Sequence, residues 1–181
     1  MWNVVTTEVT GEEPVTREEA KLFCSADGSD WDSLIDGLLK AAREKVESIT
    51  GLLLRQQSIE ITFTDGFPQR LPRAPLTLDT IAITYADTAD STAGFDDFEA
   101  FTTFDVVGLR PTLATMRWPV LYPGGFVTVA ADGGFAPDDV PELLKLAIKL
   151  LVAQWFKDRE GVGAVPDVVF NICNDFRLSR L

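Results

Sequence analysis

Histidine is absent from the 181 residues. That removes the common zinc sites and every His-based catalytic triad. Cysteine is scarce: Cys24 and Cys173 stand far apart and form no C-x-x-C pair. Both thiols read as small buried apolar residues. A disulfide is not expected in a reducing compartment. Positive charge is also short, with 16 Lys and Arg against 28 Asp and Glu, a net charge of −12. An acidic surface repels phosphate, so ordinary nucleic-acid binding is disfavoured. Such a charge commonly serves solubility. It also suits a wall past which DNA slides without sticking, although charge alone does not establish one. The longest apolar run, around Leu143–Phe156, is interrupted by Lys145, Lys149 and Gln154. It falls short of the ~20 residues a membrane span needs. The opening MWNVVTTEVTGEE has neither a basic region nor an apolar core, so no signal peptide is expected. The protein is expected in a cytoplasm, with no membrane partner.

Apolar residues make up 46% of the chain, which excludes wholesale disorder. The length predicts a single domain, 1–181, with a real core. Residues 1–13 are polar and without period, and read as an arm with a strand at Trp2–Val5. Thr16 followed by Glu19 makes a capping box for a short helix through Ala20 to about Phe23. The turn cluster Ser25–Asp30 stops it.

The second helix carries Trp31, Leu34, Ile35, Leu38, Leu39, Ala42, Val46 and Ile49 on one face. Ser29 or Asp30 is placed to cap it, and Gly51 to end it in a left-handed turn. Asp32, Asp36, Lys40, Arg43, Glu44 and Glu47 fall mostly off the apolar stripe. Asp36 and Lys40 have the acid-first i,i+4 order that favours a helix.

Residues 57–131 are rich in strand signals. Ile59, Ile61 and Phe63 alternate with polar residues, as do Ile81, Ile83 and Tyr85. Arg70–Leu76 holds two prolines and reads as an extended or edge segment. Ala86–Ala100 is acidic and turn-prone and reads as a long loop. Further strands are expected near Phe101–Val107, Thr112–Arg117 and Phe126–Ala131, with turns at Pro123–Gly125 and Asp132–Gly134. The third helix spans 139–161, with Pro141 at its first position and Gly161 as its stop. It is apolar nearly all round, which predicts burial on several sides or a subunit contact. Pro166 starts a last helix and tail, 166–181. The fold class is therefore α+β: a helical bundle from the N- and C-terminal helices, with a small antiparallel β-sheet or hairpin insertion in the middle.

No residue pattern specifies a reaction. Asp96, Asp97 and nearby Glu99 invite a hard cation, but their spacing is not that of an EF-hand loop, and a solvated acidic loop is the plainer reading. Ala26–Asp30 fails the same test. Gly124–Gly125 and Gly133–Gly134 precede no G-K-[ST] and read as hairpin turns. Ser25, Ser33 and Ser48 lack a G-x-S-x-G setting. No catalytic, cofactor or metal residue is assigned. Trp31 and Trp155 read as core. Trp118 is either core or contact surface. Arg70 and Arg73 either pair with a neighbour's carboxylates or lie on a solvated edge. In the tail, Phe176, Leu178 and Leu181 alternate with Arg177 and Arg180. That mixture of apolar and arginine side chains suits either docking on a partner or packing on the parent domain.

Five segments, taken in order, resemble the head–tail connector, or adaptor, proteins of long-tailed double-stranded DNA phages. They are EEPVTREEAK (12–21), SDWDSLIDGLLKAAREKVESITG (29–51), RLPRAPL (70–76), VPELLKLAIKLLVAQWFKDREG (140–161) and VPDVVFNICNDFRLSRL (165–181). The resemblance implies a virion protein without enzymatic activity. It would form a ring of identical subunits, twelve in number, beneath the portal, and would extend the DNA channel. Its partners would be the portal protein, the neighbouring subunits and the next neck or tail protein, a stopper or tail terminator. DNA would pass without specific binding. The resemblance places the portal contact at Phe170, Phe176, Arg177, Leu178, Arg180 and Leu181. Arg70, Arg73, Asp96, Asp97 and Trp118 are candidates for subunit or neck contacts. The acidic loop would face either the lumen or a neck protein. Two other readings are another neck component and a prophage-encoded enzyme or ligand-binding domain. Stoppers are mainly β-barrels, which the terminal helices disfavour.

Overall fold

The computed structural model describes residues 1–103, 106–158 and 164–178. The chain is α+β and divides into two compact units, each assembled from segments distant in sequence.

The first unit holds Met1–Thr10 and Gln56–Gly134. Its strands are β1 (Trp2–Val9), β2 (Gln57–Phe63), β3 (Ala82–Ala86), β4 (Thr92–Phe95), β5 (Phe98–Thr103), β6 (Val106–Pro111) and β7 (Val127–Gly133). Five of them form an antiparallel sheet in the order β1-β2-β7-β3-β4. Register explains its core: Ile61 pairs with Val129 and Val129 with Ile83, while Ile59 pairs with Ala131. All five are buried, because cross-strand partners share a face. Within the arm expected at 1–13, the strand expected at Trp2–Val5 runs on to Val9 as an edge strand, paired with β2 through seven residues. Its outward side chains are almost all exposed, which is why no alternation marks it.

The long loop expected at Ala86–Ala100 is instead the β3–β4 hairpin and the start of β5. A turn at 87–91 makes the hairpin possible. There the Asp87 carboxylate accepts hydrogen bonds from Ser91 Oγ (2.5 Å) and the Thr88 amide (2.9 Å), which holds its pKa below the ordinary value. Conversely, no strand forms at Thr112–Arg117. Pro111 ends β6, and Met116 sits in the left-handed region at φ 53°, a conformation that breaks an extended run. β7 continues to Gly133, past the turn expected to begin at Asp132. Arg70–Leu76 forms isolated bridges, Arg70 with Gly108 and Leu76 with Gly133, as an extended segment should.

The second unit holds Gly11–Arg55 and Phe135–Leu178. Its helices are α1 (Arg17–Cys24), α2 (Asp32–Thr50), α3 (Glu142–Lys157) and α4 (Asp167–Asp175). The capping box at α1 is present. Thr16 Oγ1 accepts from the Glu19 amide, and the Glu19 carboxylate accepts from the Thr16 amide at 2.9 Å. That second bond holds the Glu19 carboxyl below its ordinary pKa of 4.5. α2 starts one or two residues later than expected: Trp31 occupies the cap position and makes no side-chain cap, while neither Ser29 nor Asp30 serves. Gly51 closes the helix at φ 83°, where a β-carbon would be strained. Asp36 turns to Arg17 of α1 (2.5 Å) rather than to Lys40.

Pro141 precedes α3 as its cap residue. α3 packs against α1, α2 and α4 through Leu144, Ala147, Ile148, Leu151, Val152 and Trp155. That triple contact accounts for its near-circumferential apolarity; of its leucines Leu144 and Leu151 are buried, Leu146 and Leu150 half-buried, and Leu143 exposed. Trp155 Nε1 donates to the Ala164 carbonyl (3.0 Å). Trp31 corrects the core expectation. It is 38% exposed and meets Phe156 edge-on. The predicted helix stop at Gly161 lies outside the described residues. Both cysteines are free and buried.

Arg43 and Glu47 overturn a second expectation. They were placed off the apolar stripe, yet are only 4% and 8% exposed. Arg43 donates to Glu47 (2.7 Å) and Glu13 (2.9 Å), and Arg55 donates to Glu13 (2.7 Å). Glu47 also accepts from the Leu54 amide (2.8 Å). The network ties the chain before α1 and the chain after α2 to one face of α2.

Candidate functional site

Two surfaces stand out among the described residues, one in each unit. Among the described residues no three His, Cys, Asp or Glu side chains converge as metal ligands. Asp96 and Asp97 are exposed at the β4–β5 link. Glu99 is on β5 and its carboxylate accepts from Arg110 Nε (2.9 Å) and Nη2 (2.7 Å). The Asp97 carbonyl accepts from the Thr112 amide (2.9 Å). The three acids therefore serve the loop and the hairpin separately.

The terminal surface belongs to the second unit. α4 turns Val169 and Cys173 inward, fully buried. Burial pushes the Cys173 thiol up to about 11 and raises Cys24 also. Phe170, 44% exposed, and Val168 flank that buried stripe on either side. At the end of the helix the Phe176 amide donates to the Cys173 carbonyl (3.2 Å) and the Arg177 amide to Asn174 (3.2 Å). The Leu178 amide then donates to the Thr50 carbonyl (2.8 Å). This satisfies an orphan carbonyl in the last turn of α2. Phe176 and Leu178 are half-buried and Arg177 is exposed. Arg180 and Leu181 lie outside the described residues.

The second surface is in the sheet unit. Residues 69–71 run beside β6: the Leu71 amide donates to Val107 (2.8 Å) and the Leu109 amide to Gln69 (3.0 Å). This pins Arg70 at the edge of an open groove of about 340 Å³, lined also by Phe101, Gly108, Arg110 and Trp118. A β-carbon on Gly108 would lie 2.4 Å from Phe101 Cζ, so the ring rests directly on the backbone there. The Arg110 guanidinium lies over that ring at 5.4 Å, a cation–π distance. Trp118 stacks on Phe67 with centroids 4.9 Å apart and contacts Phe95 at 5.5 Å. Phe67 meets Tyr85, and Phe95 meets Phe98. Trp118 is thus half in an aromatic cluster and half on the groove. Arg73 is half-buried, and does not line it.

Sequence reasoning missed Phe101, Gly108 and Arg110, because the hairpin that assembles them fell partly in the supposed loop. It also missed the connection after β6, where Leu113, Met116 and Val120 are strongly exposed.

No protein-family model matches this sequence, and no curated protein sequence matches it. Solved structures do. A chain in the neck of an empty GTA particle computed with C6 symmetry aligns with TM-score 0.78 at 24% identity, over 100% of this chain and 97% of that one. A chain in the virion of a native gene transfer agent (GTA) particle aligns with TM-score 0.75 at 23% identity, over the same shares. A chain in the neck of a native GTA particle computed with C12 symmetry gives 0.66 at 21%, over 98% and 97%. Over its whole length, the protein has the fold of chains that occur in gene transfer agent particles.

Proposed function

We propose that this protein is a structural subunit of the head–tail junction of a phage-like particle: an adaptor that forms a ring of twelve beneath the portal. The observation that carries the reading is full-length fold likeness to chains from particle necks, one of them determined with C12 symmetry. The ordered resemblance of five segments to phage adaptors points the same way. In this reading the four helices are the bundle of the adaptor fold. Phe170, Phe176, Arg177 and Leu178, with Arg180 and Leu181, meet the portal, and the sheet unit meets neighbouring subunits or the next neck protein. Assembly, not bond chemistry, is its work. Each subunit contact is head-to-tail and closes into a ring.

The test is a pull-down on portal protein with the full chain and with residues 176–181 removed. Binding by the full chain and loss on truncation are expected. Unchanged binding would remove the docking role from the tail. In dilute solution the protein is expected to be monomeric or weakly associated; a stable closed ring by light scattering would contradict that.

A further inference from the structure

The groove of the sheet unit has an unusual charge for this molecule. Residues 1–10 and 56–134 contain eleven Asp and Glu, no Lys and four Arg: Arg70, Arg73, Arg110 and Arg117. Two of those four line the groove, and Arg117 immediately precedes Trp118, which also lines it. Arg70 is exposed and makes no ion pair among the described residues. Arg110 is shared between Glu99 and the face of Phe101. An arginine–aromatic groove is the composition of an interface centre, and here it is the cationic spot on an acidic surface.

The other unit carries a surface of matching chemistry. Between α1 and α2 the chain turns through Ser25 (φ 54°) and Gly28 (φ 76°). Leu22 (84%), Phe23 and Trp31 remain exposed around this corner. Lys21 is already engaged by Asp32 (2.6 Å) and by the Gly28 carbonyl. Asp27 and Asp30 are exposed and make no ion pair among the described residues. The corner is therefore apolar and negative, with its nearby lysine neutralised.

We infer that the Arg70–Arg110 groove seats the Leu22–Trp31 corner of a second copy of this chain. The groove supplies two guanidiniums and exposed aromatic surface; the corner supplies two carboxylates, an aliphatic chain and two aromatic rings. Two different patches make the contact heterologous, the class that propagates round a ring. A nucleic-acid backbone is a poorer occupant, because the eleven carboxylates against four guanidiniums repel phosphate. The inference rests on the ring reading above and names its subunit contact.

Charge exchange tests it. One variant carries Arg70→Glu and Arg110→Glu; the other carries Asp27→Arg and Asp30→Arg. Sedimentation is followed up to millimolar protein, with thermal melts confirming folding. Wild type is expected to associate. Each variant alone should lose about tenfold or more in affinity, and an equimolar mixture should recover it, because each groove then faces a corner of opposite sign. If a charge-reversed chain does not fold, Arg70→Gln and Asp30→Asn are expected to weaken association and its salt dependence without loss of structure. Wild type that stays monomeric throughout, variants that associate like wild type, or a mixture that does not recover would overturn the inference. So would groove variants that keep self-association and instead lose binding to portal protein or duplex DNA. These outcomes are separate from those of the neck reading, which is decided by where the protein sits in a particle.

Discussion

Arg43 shows how much one side chain settles. Its guanidinium is buried between Glu13 and Glu47, and Glu47 in turn holds the Leu54 amide. Replacing it by alanine strips the buried Glu47 carboxylate of this cation and leaves half-buried Glu13 with Arg55, which costs about 3–5 kcal/mol. Lys40→Ala, on the exposed side of the same helix, should stay within about 0.5 kcal/mol. Urea midpoints of the two variants check this, and similar midpoints would contradict it. Nothing near Arg43 in sequence predicts its burial. An Arg and a Glu at i,i+4 read as a solvated pair, and the groups that cover them come from Glu13 and from the chain after Gly51. Two exposed or half-exposed carboxyls behave differently. Glu19 and Asp36 have folded pKa values below their ordinary 4.5 and 3.8, held there by the Thr16 amide and by Arg17. Their stabilisation is complete above those ordinary values and is lost as pH falls through the lower folded ones. Asp36→Asn should therefore lower the melting temperature in the neutral region, and the difference from wild type should disappear as pH falls through the folded pKa of Asp36. The effect will be small, since Arg17 and Asp36 are both near half-exposed. Cys173, raised to about 11 and fully buried, should resist alkylation at neutral pH until the protein unfolds. Labelling of Cys173 that precedes unfolding would contradict the packing of α4.

Elements with strong local codes were legible. α1 was set by its capping box, α2 by its apolar stripe and Gly51, and β2 by strict alternation. β4 was not, and β1 and β5 were legible only in part, as Trp2–Val5 and as the stretch from Phe101. β1 is exposed on most of its length, so burial imprints no period on it. β4 reads Thr-Ala-Gly-Phe, small and polar, and becomes a strand only because the Asp87 turn lays it along β3. The groove was illegible for the same reason, since Phe101, Gly108 and Arg110 meet across the β5–β6 pair. Gly108 is the position on which that element depends. Alanine there must displace the Phe101 ring, because the added carbon would lie 2.4 Å from it. We expect a loss of about 1–3 kcal/mol and a reshaped groove. A Gly108→Ala protein with unchanged melting temperature and unchanged Phe101 environment by NMR would show that the ring does not rest there.

At the scale of the whole molecule, composition excluded much and specified little. The absence of histidine and the net charge of −12 removed reaction classes and disfavoured nucleic-acid binding. The functional reading came from the order of the segments and from the shared fold. Two surfaces follow from that fold. One is the α4 end, where Phe170 and Arg177 are exposed. The other is the arginine–aromatic groove on a sheet that is otherwise acidic. A subunit of a junction must make contacts to unlike neighbours at once, and separate surfaces on separate units suit that task. The most direct measurement is cryo-electron microscopy of particles purified from cells that carry this gene. The account predicts a ring of density at the neck, beneath the portal, into which this fold fits once per subunit. Particles whose neck contains no density for this chain would contradict it.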